Sequence, residues 1–87
     1  MANAISLPEI NPILKRPTVE QITADTRSTI YRKIKSGLFV RPVSLGGGRV
    51  GWPANEVQAV VNARIAGKND EQIKALVVEL QAARVSQ

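Results

Sequence analysis

The sequence predicts a mostly helical domain with one small β-hairpin, its elements ordered helix, helix, strand, strand, helix, helix. Three observations carry that prediction. Two short segments of helical apolar spacing are separated by Ala24, Asp25 and Thr26, and the second closes on Gly37. The next stretch, "LFVRPVSLGGGRVGWP", switches to Val, Leu and Phe around a run of three glycines. Beyond Pro53 the apolar residues return to helical spacing, interrupted at Gly67.

Each element has local chemistry behind it. In "TVEQI", Thr18 stands as an N-cap with Gln21 in the reciprocal position, a capping box worth about 1 kcal/mol. Val19 and Ile22 share one face of that first helix. Before it, residues 1–17 contain Pro8, Pro12 and Pro17 and read as a flexible arm. Asp25 or Thr26 caps the second helix, which runs from about Arg27 to Ser36 before Gly37 takes the left-handed conformation. Two short helices across a tight turn make a helix-turn-helix. Val43 and Leu45 alternate with Ser44, Val50 and Trp52 alternate with Gly51, and the glycines between allow the reversal of a hairpin. Pro53 suits the first turn of a third helix, along which Val57, Val60, Val61 and Ile65 recur up to Gly67. Asn69 then caps a fourth helix, with Gln72 at its third position and Asp70 and Glu71 at the positive end. Ile73, Leu76, Val77 and Leu80 give that helix an apolar stripe. The expected organisation is an arm over 1–17, a winged helix-turn-helix domain over 18–67 and an amphipathic C-terminal helix over 68–87.

Composition narrows the function. A chain of 87 residues makes one domain, and such a domain buries only about 60% of its unfolded surface. It has no Cys and no His, which removes thiol chemistry, disulfides and the usual transition-metal ligands. No pair of Asp, Glu, Lys or Tyr is spaced for catalysis, so an enzyme, a cofactor and a metal are not expected. No apolar run approaches the roughly 18 residues of a membrane span. The start, "MANAISLPEINPILKRP", lacks the basic and apolar blocks of a secretory signal, so a cytoplasmic protein is expected.

The net charge of +5 is concentrated. From Thr26 to Trp52 there are six cations (Arg27, Arg32, Lys33, Lys35, Arg41 and Arg49) and no acid. The flanking regions are close to neutral. Solubility does not require acids to vanish from 27 consecutive positions, whereas a polyanion-binding face does favour it.

Within this block the second helix has a separable front and back. At about 100° per residue, with Ile30 set at zero, Ile34 lies at about 40° and marks the buried side. Lys35 falls at about 140°, Ser28 at about 160° and Arg32 at about 200°, together on the opposite face. A helix packed on one side with Ser, Arg and Lys in front fits the DNA major groove. Arg32 can bond the O6 and N7 edge of guanine or a phosphate. Arg27 and Thr29 flank the helix N-terminus, where free N–H groups also suit phosphate. Tyr31, at about 100°, can rest on the core edge and offer its hydroxyl to phosphate, or simply pack. Lys33, at about 300°, points away and is expected to be solvated.

"GGGR" leads into a strand and lacks the Gly-Lys-Ser/Thr of a phosphate loop before a helix, so it reads as a hairpin tip. Arg49 at that tip is placed for the minor groove or its phosphates, with Arg41 as a weaker backbone contact. Trp52 is expected to pin the hairpin to the core.

The run "RSTIYRKIKSGLFVRPVSLGGGRVGWPANEV" (Arg27–Val57) resembles AlpA-type prophage regulators and, more loosely, small winged-helix excisionases of the MerR-like superfamily. The resemblance implies double-stranded DNA as partner, bound through the second helix and the wing at an attachment site or promoter. It also implies either regulation of an integrase gene or assistance to a tyrosine recombinase in excising a mobile element, and hence a nucleoid-associated protein. Groove-facing positions of excisionases fall at Ser28, Arg32 and Lys35, and a wing arginine at Arg49. Ser28 replaces a residue that is acidic in some of them. For the C-terminal stripe of Ile73, Leu76, Val77 and Leu80 two uses are open, folding back on the domain or self-association on DNA, and self-association is favoured. The alternative to a DNA-binding protein is an interaction adaptor docking a partner on that stripe.

Overall fold

The computed structural model describes residues 10–84. Its elements are β1 (Ile13–Leu14), α1 (Arg16–Thr23), α2 (Arg27–Lys35), β2 (Val43–Gly46), β3 (Arg49–Pro53), α3 (Ala54–Ile65) and α4 (Asp70–Ala83). The architecture is mostly helical, with a small antiparallel sheet in the order β1-β3-β2, and it agrees with a winged helix-turn-helix carrying an additional C-terminal helix.

The sheet has one strand more than the expected hairpin. Ile13 pairs with Pro53 and Leu14 with Trp52, so part of the supposed arm is built into the domain. Residues 1–9 of that arm lie outside the described residues. The same segment completes α3: the Pro12 carbonyl accepts the Ala54 N–H at 2.8 Å, and the Asn11 side chain accepts the Asn55 N–H at 2.9 Å. Pro53, at the N-cap, has no polar side chain to do this, and Asn11, 44 positions from Asn55, does it instead.

Helix α1 also starts earlier than expected. The Lys15 carbonyl accepts both the Thr18 and Val19 N–H groups, so Thr18 lies inside the helix and the Thr18–Gln21 capping box does not form. Pro17 sits in the first turn, where its fixed φ is already helical and its missing N–H leaves nothing unpaired. The turn to α2 passes through Ala24 at φ 61°, the left-handed conformation, which costs a non-glycine residue about 1–2 kcal/mol. Thr23 braces it, its hydroxyl donating to the Val19 carbonyl and accepting the Asp25 N–H.

Gly37 and Gly67 end α2 and α3 as expected. At Gly37 (φ 81°) the Leu38 N–H reaches the Lys33 carbonyl and the Gly37 N–H the Ile34 carbonyl, a Schellman motif. The Asn69–Gln72 capping box of α4 is present in both directions. In the hairpin, Gly47 and Gly48 both have positive φ between the paired Gly46 and Arg49, the requirement of a two-residue type I′ turn. The ladder slips between Ser44 and Gly46, leaving Leu45 as a bulge rather than the next regular position.

The core is Val19, Ile30, Phe39, Val40, Trp52, Val57, Val60, Ile73 and Val77. Trp52 has no exposed surface and donates its indole N–H to the Val40 carbonyl at 3.0 Å, so it does anchor the wing. Ile22 is not on the buried face with Val19. It is exposed, as is Ile65 at the end of α3.

Gly51 is needed for the strand order. A Cβ there would stand 2.3 Å from Cγ2 of Ile13 and 3.1 Å from the Leu14 carbonyl oxygen. Ile13 could turn aside, but the Leu14 backbone cannot. Gly51→Val is therefore expected to push β1 away and cost about 1–3 kcal/mol by overpacking. A urea midpoint equal to that of the wild type would show that β1 yields freely.

Candidate nucleic-acid interface

Helix α2 is held by its ends and its back. Thr26 caps it, accepting the Thr29 N–H at 3.3 Å and donating its hydroxyl to Thr29 Oγ1 at 3.0 Å. Ile30 is 1% exposed, and Ile34 packs at the margin of the core. On the other side Ser28, Arg32 and Lys35 are all exposed, and Arg27 is exposed at the first turn. Thr29 is half-buried, with its hydroxyl engaged in the cap. Cations in the last turn complement the negative end of the helix dipole.

Lys33 departs from expectation. Its ammonium lies 2.9 Å from the Asp25 carboxylate, and both side chains are more than two-thirds buried. The helical wheel turned it away from the exposed face correctly but could not see an acid eight residues back. The consequence is useful: the one acid next to the basic block is neutralised behind α2, not in front of it.

Tyr31 is 39% exposed, with its ring 6.3 Å from that of Trp52 at 64°, an edge-to-face contact. It thus rests on the core edge while remaining accessible. Arg49 is exposed at the wing tip. Arg41 has an exposed side chain, but its backbone is clamped. Its N–H donates to Gln81 Oε1 at 2.8 Å, and its carbonyl accepts Arg84 Nη2 at 2.7 Å.

Ion pairing sorts the cations. Arg16, Lys33, Arg64, Lys74 and Arg84 each have a carboxylate partner. Among the described residues no carboxylate reaches ion-pair distance of Lys15, Arg27, Arg32, Lys35, Arg41 or Arg49. Among the described residues, uncompensated positive charge is thereby confined to α2, the wing and the segments leading into them, apart from Lys68.

A family model described as prophage CP4-57 regulatory protein (AlpA) matches residues 12–65, more than half of the chain. The protein belongs to the AlpA prophage regulatory family. A protein of Enterobacteria phage P4, described as uncharacterized protein ORF88, is 44% identical over 64 residues, covering 71% of this chain and 73% of that one. No solved structure matches. The AlpA match begins at β1 and ends with α3, so the strand built from the supposed arm falls inside the family region. Helix α4 falls outside it.

That last helix gives the main correction. Ile73 has no exposed surface and Val77 is 3% exposed, while Leu76 and Leu80 pack against the same core. The stripe expected to pair copies of the protein is used within the chain, covering α3 and closing a core too small to be left open. The adaptor reading loses its surface for the same reason.

Sequence reasoning also missed a polar cluster. Glu56 on α3 is 5% exposed, and both its oxygens accept hydrogen bonds from the Arg84 guanidinium, Nε to Oε2 at 2.9 Å. Arg84 also holds the Arg41 carbonyl, so the end of α4, α3 and the connector from α2 to the wing meet at one guanidinium. The partners lie 28 and 43 positions apart, with no local signal linking them.

Proposed function

We propose that this AlpA-family protein is a sequence-specific double-stranded DNA-binding regulator of an integrated mobile element. Helix α2 enters the major groove, and the wing lies at the adjacent minor groove. The observation that carries the reading is the two-sided build of α2: Ile30 is locked in the core while Ser28, Arg32 and Lys35 stand exposed without counter-charge. Arg32 reads a base edge, Ser28 and Lys35 contact bases or phosphates beside it, and Arg27 and Tyr31 lie on backbone. Thr29 acts through the cap that sets the helix entry. Arg49 reaches the minor groove or the phosphates that border it from the wing, and Arg41 contacts phosphate.

The element's attachment region and integrase promoter are the DNA targets, with a tyrosine recombinase as the protein acting beside it at the former. Regulation of transcription and assistance to excision use the same contacts and differ in the site occupied. Footprinting separates them: protection of the promoter alone assigns regulation, and protection of the attachment arms assigns excision. Neighbouring copies loading on one site would meet through a surface other than the buried α4 stripe.

Binding measured by fluorescence anisotropy across a salt series tests the reading. With about five phosphates neutralised, log K should fall against log salt with a slope of about −4.5. Arg32→Ala should cost about 1–3 kcal/mol on the target and flatten the preference at one base pair. An unchanged preference would remove Arg32 from the reading surface, and no binding to any duplex at low salt would end the proposal.

A further inference from the structure

The wing does not stand alone. Because Leu14 pairs with Trp52, the chain leaving β1 runs alongside β3 toward the wing tip before it turns into α1. Lys15, Arg16 and Pro17 consequently line an open cleft of about 310 Å³ whose other wall carries Gly48, Arg49 and Val50. Three cations border one cleft, and they are not equivalent. Arg16 is neutralised by Glu20 at 2.9 Å. Lys15 and Arg49 are exposed, and no carboxylate among the described residues reaches either of them.

Two cations that border one cleft without a counter-charge repel one another, and an anion between them reverses the sign of that interaction. Gly48 leaves its side of the cleft bare, since a Cβ there would meet nothing within 4 Å. Gly51 fixes the opposite wall by admitting β1 against β3 without a side chain between them. The cleft is thus open and cationic on two walls, and its spacing is set by backbone pairing rather than by flexible side chains alone.

We propose that this cleft is a phosphate-binding site for the DNA backbone flanking the wing, with Lys15 and Arg49 converging on one phosphodiester. The inference rests on the DNA-binding reading above and adds a residue to it from the segment taken as an arm. Lysine is suited to this place as a compact point charge, and arginine as a fork that can share the phosphate oxygens. The contact is blind to sequence. It would set how closely the wing approaches the duplex while α2 reads bases.

The test is a salt series of duplex affinity for the wild type, Lys15→Gln, Arg49→Gln, the double variant, and Lys68→Gln as an exposed cation remote from the cleft. Losing one phosphate contact should make the log–log slope shallower by about 0.9, equivalent to roughly fivefold weaker binding at about 0.15 M salt. Lys15→Gln should show that loss equally on specific and random duplexes, with an unaltered thermal midpoint. The double variant should lose less than the product of the single losses, since both side chains share one phosphate. Wild-type affinity and slope in Lys15→Gln would overturn the inference while leaving DNA binding by α2 intact. An equal loss in Lys68→Gln would also overturn it, by reducing the effect to net charge. Failure of the wild type itself to bind duplex would remove the functional reading and this site with it.

Discussion

Trp52→Ala is expected to lower stability by about 3–5 kcal/mol, the cost of emptying the volume of a large buried aromatic side chain. The residue has no exposed surface, and it is the place where the wing, the connector at Val40 and the edge of α2 at Tyr31 meet. A domain of this size has only a few kcal/mol to lose, so the variant should be largely unfolded at about 37 °C. Urea denaturation followed by circular dichroism is the suitable measurement, because Trp52 is the sole tryptophan and its removal abolishes the tryptophan fluorescence. Trp52→Phe separates packing from polarity. It keeps a ring in the core but leaves the carbonyl of Val40, a residue with no exposed surface, without its donor, at a cost of about 1–3 kcal/mol. A midpoint for Trp52→Ala within experimental error of the wild type would mean that the hairpin is not anchored there.

Arg84→Ala should come second, at about 3 kcal/mol. The change leaves the Glu56 carboxylate buried on α3 with its hydrogen-bond donors gone, and an uncompensated buried charge costs about 3–5 kcal/mol. The lower figure applies because the Arg84 side chain keeps a fifth of its surface in water. Replacing both partners by leucine removes the stranded charge and should recover most of the loss, as an apolar pair of similar volume often matches a buried ion pair. The Arg41 carbonyl would still lack its donor in that double variant. Hydrogen exchange can detect the difference. Amides of the connector from Leu38 to Val43 should exchange faster in both variants, even where global stability returns. Equal losses in the single and double variants would show that the stranded Glu56 charge is not the cause.

These two clusters also show why the sequence was readable in some places and opaque in others. Helix ends are dictated by neighbours three or four positions away. Gly37 and Gly67 therefore announce their Schellman turns, and Asn69 with Gln72 announces a capping box that forms in full. The same local logic misled at Thr18. It has capping chemistry of the same kind as Asn69, but Pro17 and the Lys15 carbonyl start the helix ahead of it. A two-residue strand has no period to detect. β1 exists because β3 offers an edge and Gly51 leaves room, both facts of distant sequence.

For the interface, the back of α2 was legible from the four-residue spacing of Ile30 and Ile34, and the exposure of Ser28, Arg32 and Lys35 follows from the same geometry. The pairing of Lys33 with Asp25 was not legible, because it spans the turn between two helices. Nor was the position of Lys15 beside Arg49, which depends on strand pairing across almost forty residues of chain.

The sequence by itself determined the order of the four helices and the hairpin, the glycine ends of α2 and α3, the caps of α2 and α4, and the concentration of positive charge between Thr26 and Trp52. All of these follow from helical and strand periods, or from composition. Only the tertiary structure decided that α4 packs its apolar stripe onto the domain's own core, that Glu56 and Arg84 tie it to the wing connector, and that residues Ile13 and Leu14 of the supposed arm become a strand. An apolar stripe or a lone charge specifies that it needs a partner but not which one. The partner is chosen by what the rest of the chain brings within a few ångströms.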